Sequence, residues 1–220
     1  MNFVKVFYAD VSKYYDEKEL GARLSEVDDA RRERIAHARR AETKAELLGS
    51  ALIAKKALKE VFGDKEYEIK VDEKGKPFVA NAENVYFNVS HTGKYVACAC
   101  SNVPVGLDIE QIGSQAEAIG VAERFFSSLE KSAIMLSPSP EEAFCRLWTL
   151  RESYVKMRGT GFDRGLAPLS CSFPRGVPKM NDRGVLQQDA FFYEIRDIYL
   201  CRGAVCTLGE SEYSIKKTEV

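Results

Sequence analysis

Apolar residues recur every three or four positions along 41–62, where Leu47, Leu48, Ala51, Leu52, Ala54, Leu58 and Val61 fall on one stripe and Gly63 closes the run. That is the pattern of an amphipathic helix with a glycine stop. Helical spacing begins earlier, near Asp16, in two or three segments that follow a short apolar strand at 2–8. The period then shortens to two, and strands are predicted at 67–71, 84–89, 94–100 and 104–110, with turns at Lys74-Gly75-Lys76-Pro77 and Thr92-Gly93. The second half repeats the order in outline, with helices between 114 and 158 and strands near 169–173, 190–195 and 199–207. Its sharpest helix start is at Ser139, a good N-cap, with Pro140 suited to the first helical position and Glu142 completing a capping box; Gly159 and Gly161 end the helix. Phe144, Leu147, Trp148 and Val155 are expected to face the core, and Glu152 and Lys156 a more polar side. Helices followed by strands, twice, predict an α+β fold of two similar α/β subdomains, residues 1–103 and 104–220.

Composition narrows the function classes. The formal net charge of the 220 residues is -1, so no overall field draws the chain to nucleic acid or an anionic membrane, and any anion site must be local. No apolar run approaches the roughly 20 residues needed to span a bilayer, and charge interrupts the N-terminus too soon for a signal peptide. The expectation is a soluble cytoplasmic protein. The six cysteines form no C-x-x-C pair and the chain has two histidines, so the cysteines are expected to be buried small hydrophobes in a reducing compartment.

Four segments carry chemistry. In Val105-Gly106-Leu107-Asp108-Ile109-Glu110, strand alternation puts both acids on one face, where their oxygens suit magnesium, manganese or calcium; a solvated edge strand would look the same. In Trp148-Thr149-Leu150-Arg151-Glu152-Ser153-Tyr154-Val155-Lys156, the acid and the lysine lie one helical turn apart, as in an ordinary surface ion pair. Bringing Glu152 to Asp108 and Glu110 would imply a cation among them. Ser90, His91, Thr92 and Lys94 offer donors around a Gly-permitted turn, with the 74–77 segment adding another cation. The run Arg31-Arg32-Glu33-Arg34 is either a solvated helix face or a grip on one phosphate; it lacks the aromatic interleaving of a single-strand nucleic-acid binder.

In their order along the chain, these segments resemble the 4′-phosphopantetheinyl transferases of the long, monomeric kind. The likeness runs through the basic segment at 31–34, Gly75-Lys76-Pro77, Asn88-Val89-Ser90-His91-Thr92-Gly93, Gly106-Leu107-Asp108-Ile109-Glu110, Arg124-Phe125-Phe126-Ser127 and the 148–156 helix, and covers about residues 1–175. The resemblance implies a pseudo-twofold pair of α/β subdomains with coenzyme A in the cleft between them. It implies transfer of the phosphopantetheine arm to a serine of an apo acyl or peptidyl carrier protein, releasing 3′,5′-ADP. It also implies that Asp108, Glu110 and Glu152 are the ligands of Mg2+, with Mn2+ an alternative. Lys156 and His91 match contacts to the pyrophosphate, and Lys76 and Ser90 match coenzyme contacts near the nucleotide. Arg31 and Arg34 fall, with a one-residue gap, on cations that hold the 3′-phosphate; Thr43-Lys44-Ala45-Glu46 has no obvious equivalent of the hydroxyl or arginine that helps hold it in the family, and Lys44 is the available substitute.

Arg151, where lysine is common in the family, is expected to matter little if it faces outward. Glu152 is the candidate general base, and the carrier is expected to dock between Arg124 and Ser139. A non-catalytic binder of coenzyme A or of carrier protein is the alternative, and retention of all three acids and Lys156 argues against it. A different magnesium-dependent phosphotransfer enzyme lacks support from any Walker-type or kinase motif.

Overall fold

The computed structural model describes residues 1–161 and 166–220. The chain opens with strand β1 (Phe3–Asp10) and continues through helices α1 (Glu17–Arg23), α2 (Asp29–His37) and α3 (Ala41–Phe62). Strands β2 (Ile69–Val71), β3 (Pro77–Val79), β4 (Tyr86–Thr92), β5 (Tyr95–Ser101) and β6 (Val105–Gln111) follow. Helices α4 (Gln115–Phe125), α5 (Ser128–Met135) and α6 (Pro140–Arg158) come next. The remainder is strands: β7 (Leu169–Ser172), β8 (Lys179–Asp182), β9 (Val185–Leu186), β10 (Ala190–Ile195), β11 (Cys201–Leu208) and β12 (Glu212–Lys217). The mixed α+β class agrees with the sequence pattern. No described helix is long and apolar enough to cross a membrane, and all six cysteines are free, five of them buried.

The main sheets run in the order β12-β1-β5-β4 and β10-β11-β6. Alternation along each strand builds four layers from them. Phe7, Ala9, Val96, Cys98 and Cys100 face α3 and close one core with Leu48, Leu52 and Leu58. The opposite face of the same strands, Val4, Val6, Ala97 and Ala99, meets Val105, Leu107, Ile109 and Val205 of the second sheet. α6 covers the far side of that sheet, where Tyr154, Val155 and Met157 join Cys206 and Ala190. Helix on sheet therefore occurs twice, sheet against sheet.

Three details depart from the sequence pattern. The last strand, β12, returns to pair in parallel with β1, so the first sheet contains residues from the end of the chain. Pro77 begins the short strand β3, which pairs with β2 across the expected turn. Ser139 makes no side-chain cap; its φ/ψ of -133/85 lies outside the usual cap geometry, and Glu142 is drawn instead to Arg202 at 2.7 Å. The capping boxes are at Ser114/Glu117 and Ser127/Glu130.

Gly106 sets how closely α6 approaches β6. A Cβ there would lie 2.0 Å from the Ser153 carbonyl oxygen and 2.3 Å from the Met157 nitrogen, both helix backbone. Neither can move without displacing the turn that carries Lys156. Gly106→Ala is expected to cost about 3 kcal/mol, the upper end of over-packing penalties, read as a lowered midpoint in urea.

Candidate active site

Since Leu107 and Ile109 belong to the sheet–sheet core, Asp108 and Glu110 must face α6. There Glu152 and Lys156, one turn apart on α6, approach them. The Lys156 ammonium donates to Asp108 Oδ1 at 2.6 Å and, at 3.4 Å, to Ser90 Oγ. Asp108 and Glu152 are each only 4% exposed. Asp108 Oδ2 and Glu152 Oε1 are buried without a hydrogen-bond partner.

The electrostatics are unbalanced. Burial pushes the Glu110 carboxyl up to about 7, and the neighbouring Asp108 carboxylate adds to it. Glu152 is pushed up to about 7 in the same way, by burial, then Asp108, with Glu110 a smaller contributor against the pull of Lys156. Asp108 is also raised by burial, against the opposing pull of Lys156 and Ser90. Two buried carboxylates and a half-buried third, with one ammonium, leave negative charge and unpartnered oxygens, a donor set that suits a hard divalent cation. Among the described residues no group of three or more His, Cys, Asp or Glu is already drawn together as a metal cage. The fit therefore rests on the donors and the charge.

A pH dependence follows. In the folded, metal-free protein Glu110 and Glu152 titrate near 7, against a usual value of 4.5. The unfolded chain therefore gives up these protons first, and stability falls as pH rises from about 4.5 to about 7. Urea midpoints measured in EDTA are expected to drop across that window, and a Glu110→Gln/Glu152→Gln double variant is expected to flatten the drop.

Beside the acids lies a cleft of about 280 Å³ whose lining includes Gly75, Lys76, Pro77, Asn88, Glu152 and Lys156. It brings together three segments that are far apart in sequence. Lys76, read from the sequence as a coenzyme contact, lines this void, and its ammonium is held by backbone carbonyls. It donates to the carbonyls of Lys156 at 2.5 Å, Met157 at 3.2 Å and Val105 at 3.4 Å, tying the C-terminal end of α6 to β6. That desolvated position lowers its pKa.

Ser90 and His91 point to opposite faces of β4. The Ser90 hydroxyl is engaged inside the protein, donating to Asp108 Oδ1 at 3.0 Å and accepting from the Ile109 N–H at 3.2 Å. The His91 side chain is 52% exposed, with Nδ1 3.6 Å from Glu46 on α3. It is near enough to Asp108 for its charge to be felt there. Arg31 and Arg34 stay together on α2; burial and the Arg34 charge lower the Arg31 pKa, the environment of a cation pair that an anion would relieve. Lys44 lies 3.9 Å from Glu17.

Arg151 does not meet that condition. It is wholly buried rather than outward-facing. Its guanidinium donates to Glu130 Oε2 at 2.5 Å and to the Phe125 carbonyl at 2.5 Å, and it stacks 4.0 Å over the Phe126 ring. Glu130 in turn accepts from the Cys171 N–H at 2.8 Å through its other oxygen. The helix carrying Glu152 and Lys156 is thus locked to the α4–α5 junction and to β7. Sequence reading missed Glu130, although the Ser127-x-x-Glu130 capping-box spacing was visible. It also missed the role of Asn88 and Thr92, whose spacing with Ser90 was a legible signal.

Two adjoining family models match the chain: residues 16–103 match "4'-phosphopantetheinyl transferase, N-terminal" and residues 104–207 match "4'-phosphopantetheinyl transferase superfamily". The chain belongs to the 4′-phosphopantetheinyl transferase superfamily. Among curated relatives, it is 32% identical over 127 residues to 4'-phosphopantetheinyl transferase Sfp of Bacillus subtilis (strain 168), covering 56% of each chain. It is 39% identical over 120 residues to 4'-phosphopantetheinyl transferase gsp of Aneurinibacillus migulanus, covering 52% of this chain and 48% of that one. The chain thus spans about half the length of the curated relatives it matches. The crystal structure of Thermotoga maritima holo-[acyl-carrier-protein] synthase superposes with a TM-score of 0.40 at 20% identity, over 49% of this chain and 64% of that one.

Proposed function

We propose that the chain transfers the 4′-phosphopantetheine moiety of coenzyme A to a serine hydroxyl of an apo acyl or peptidyl carrier protein, as a cytoplasmic monomer. The observation that carries this reading is the meeting of Asp108, Glu110, Glu152 and Lys156 beside a cleft walled by Gly75-Lys76-Pro77 and β4, in a chain of this superfamily. The serine oxygen attacks the β-phosphorus of coenzyme A; the bond from that phosphorus to the bridging oxygen breaks, and 3′,5′-ADP leaves. Asp108, Glu110 and Glu152 would hold magnesium or manganese, which supplies charge to the pyrophosphate as a Lewis acid. The unpartnered Glu152 Oε1 takes the serine proton, directly or through water. Lys156, already turned to the acids, and His91, at the end of β4, bring positive charge to the phosphates. Arg31 and Arg34 hold the 3′-phosphate, and the Lys76 stem and Ser90 complete the coenzyme wall.

In this reading the subdomains divide at 103/104, with β12 crossing back to complete the first sheet. The carrier docks on α4–α5, where Leu129 and Leu136 are among the most exposed apolar residues of the chain. The test is mass spectrometry of a panel of apo carrier proteins incubated with the chain, coenzyme A and magnesium. A gain of one phosphopantetheine is expected on at least one carrier. No gain across the panel, with coenzyme A still bound, would replace transfer by a binding role.

A further inference from the structure

β4 and β6 are the edge strands of different sheets, yet they lie side by side. Three β4 side chains join them. Asn88 Oδ1 accepts the Leu107 N–H at 2.8 Å, Ser90 Oγ that of Ile109 at 3.2 Å, and Thr92 Oγ1 that of Gln111 at 2.9 Å. The sequence offset is 19 in all three, so the two edges run parallel. The N–H groups that an absent neighbouring strand would leave unpaired are thereby satisfied.

Two rungs do more. The Ser90 hydroxyl gives its proton to Asp108 Oδ1 at 3.0 Å, and that of Thr92 gives its proton to Glu110 Oε2 at 3.5 Å, again at a shared offset, 18. In the third rung the matching position is Gly106, which offers no acceptor side chain, and there the β4 residue is Asn88. Hydroxyls thus stand where an acid needs a donor, and a carboxamide where only backbone must be joined. Because a β6 N–H occupies a lone pair of each hydroxyl, its single proton is aimed at the carboxylate. Asp108 Oδ1 is held this way by Ser90 and Lys156, leaving Oδ2 without a partner.

We propose that Ser90 and Thr92 are positioning residues that set the rotamers of Asp108 and Glu110 for a divalent cation, Ser90 by holding Asp108 Oδ1 so that Oδ2 stays free, and Thr92 by holding Glu110 Oε2. This rests on the transferase reading only in requiring the cation. The probe is Mn2+ alone, titrated into the protein and followed by loss of the free-ion EPR signal, with urea midpoints measured alongside. Thr92→Val and Ser90→Ala are expected to weaken Mn2+ binding roughly 10- to 100-fold, as removal of outer-shell partners does. Thr92→Ser, which keeps the hydroxyl, should stay close to the parent protein.

Asn88→Ala breaks the rung that has no acid; it should lower the urea midpoint and leave Mn2+ affinity near that of the parent. The proposal fails if Thr92→Val binds Mn2+ like the parent, if Thr92→Ser loses as much affinity as Thr92→Val, or if Asn88→Ala weakens binding as much as the hydroxyl deletions. The last result would make the rungs a sheet joint only. A parent protein that transfers phosphopantetheine while these variants keep full Mn2+ affinity overturns the positioning role alone. A parent that neither transfers nor binds Mn2+ overturns both.

Discussion

Glu152→Gln is expected to slow phosphopantetheine transfer by roughly 10²- to 10⁴-fold, the range over which a positioned proton acceptor acts, while the fold stays intact. The carboxamide has the same shape but neither the negative charge nor the capacity to take a serine proton at neutral pH. Glu152 Oε1 is the unpartnered oxygen of a residue otherwise packed into α6, so the substitution removes no structural hydrogen bond from it. It also relieves a carboxyl that burial, and then Asp108 and Glu110, already push toward neutrality. Single-turnover transfer at saturating coenzyme A and magnesium, with a circular dichroism melt alongside, reads both consequences. A variant as active as the parent would remove Glu152 from the proton-accepting and ligand roles together.

The largest stability effect is expected at a residue outside the proposed chemistry. Arg151→Met should cost about 3–5 kcal/mol, because it strips the partner from a buried charge. Glu130 would keep its contacts to the Cys171 N–H and Ser127 but lose the guanidinium that neutralises it, and the Phe125 carbonyl would lose its donor. For a chain of this size that corresponds to a fall of about 6–20 °C in the thermal midpoint. Arg151→Lys should recover only part of the loss, since one ammonium lacks the planar fork that reaches Glu130 and the Phe125 carbonyl at once. A midpoint unchanged in Arg151→Met would show that the pair contributes little beyond filling its space.

Much of this was legible in the chain. The apolar stripe of α3, the period-two runs of β4 to β6 and the alternation that puts Asp108 and Glu110 on one face all follow from local spacing, and the observed elements lie close to the expected ones. β3, β8, β9 and β12 were not foreseen. They are short or weakly patterned, and β12 is defined by its partner β1, more than 200 residues away in sequence. The cap at Ser139 failed for a related reason: Glu142 had a better partner in Arg202, which no local motif reveals.

By itself, the sequence determined the inventory and its direction: which side chains are acids, hydroxyls and cations, and which share a face of a strand or a turn of a helix. Those are properties of backbone periodicity, which acts over a few residues. Only the tertiary structure decided what each group is paired with. It gave the Lys76 ammonium to the α6 carbonyls, buried Arg151 against Glu130, and set the Ser90 and Thr92 hydroxyls between β6 backbone and the two acids. Pairing depends on which surfaces meet, and burial then fixes the partners, because an unmatched charge or hydrogen-bonding group inside a protein costs more than any local preference can supply.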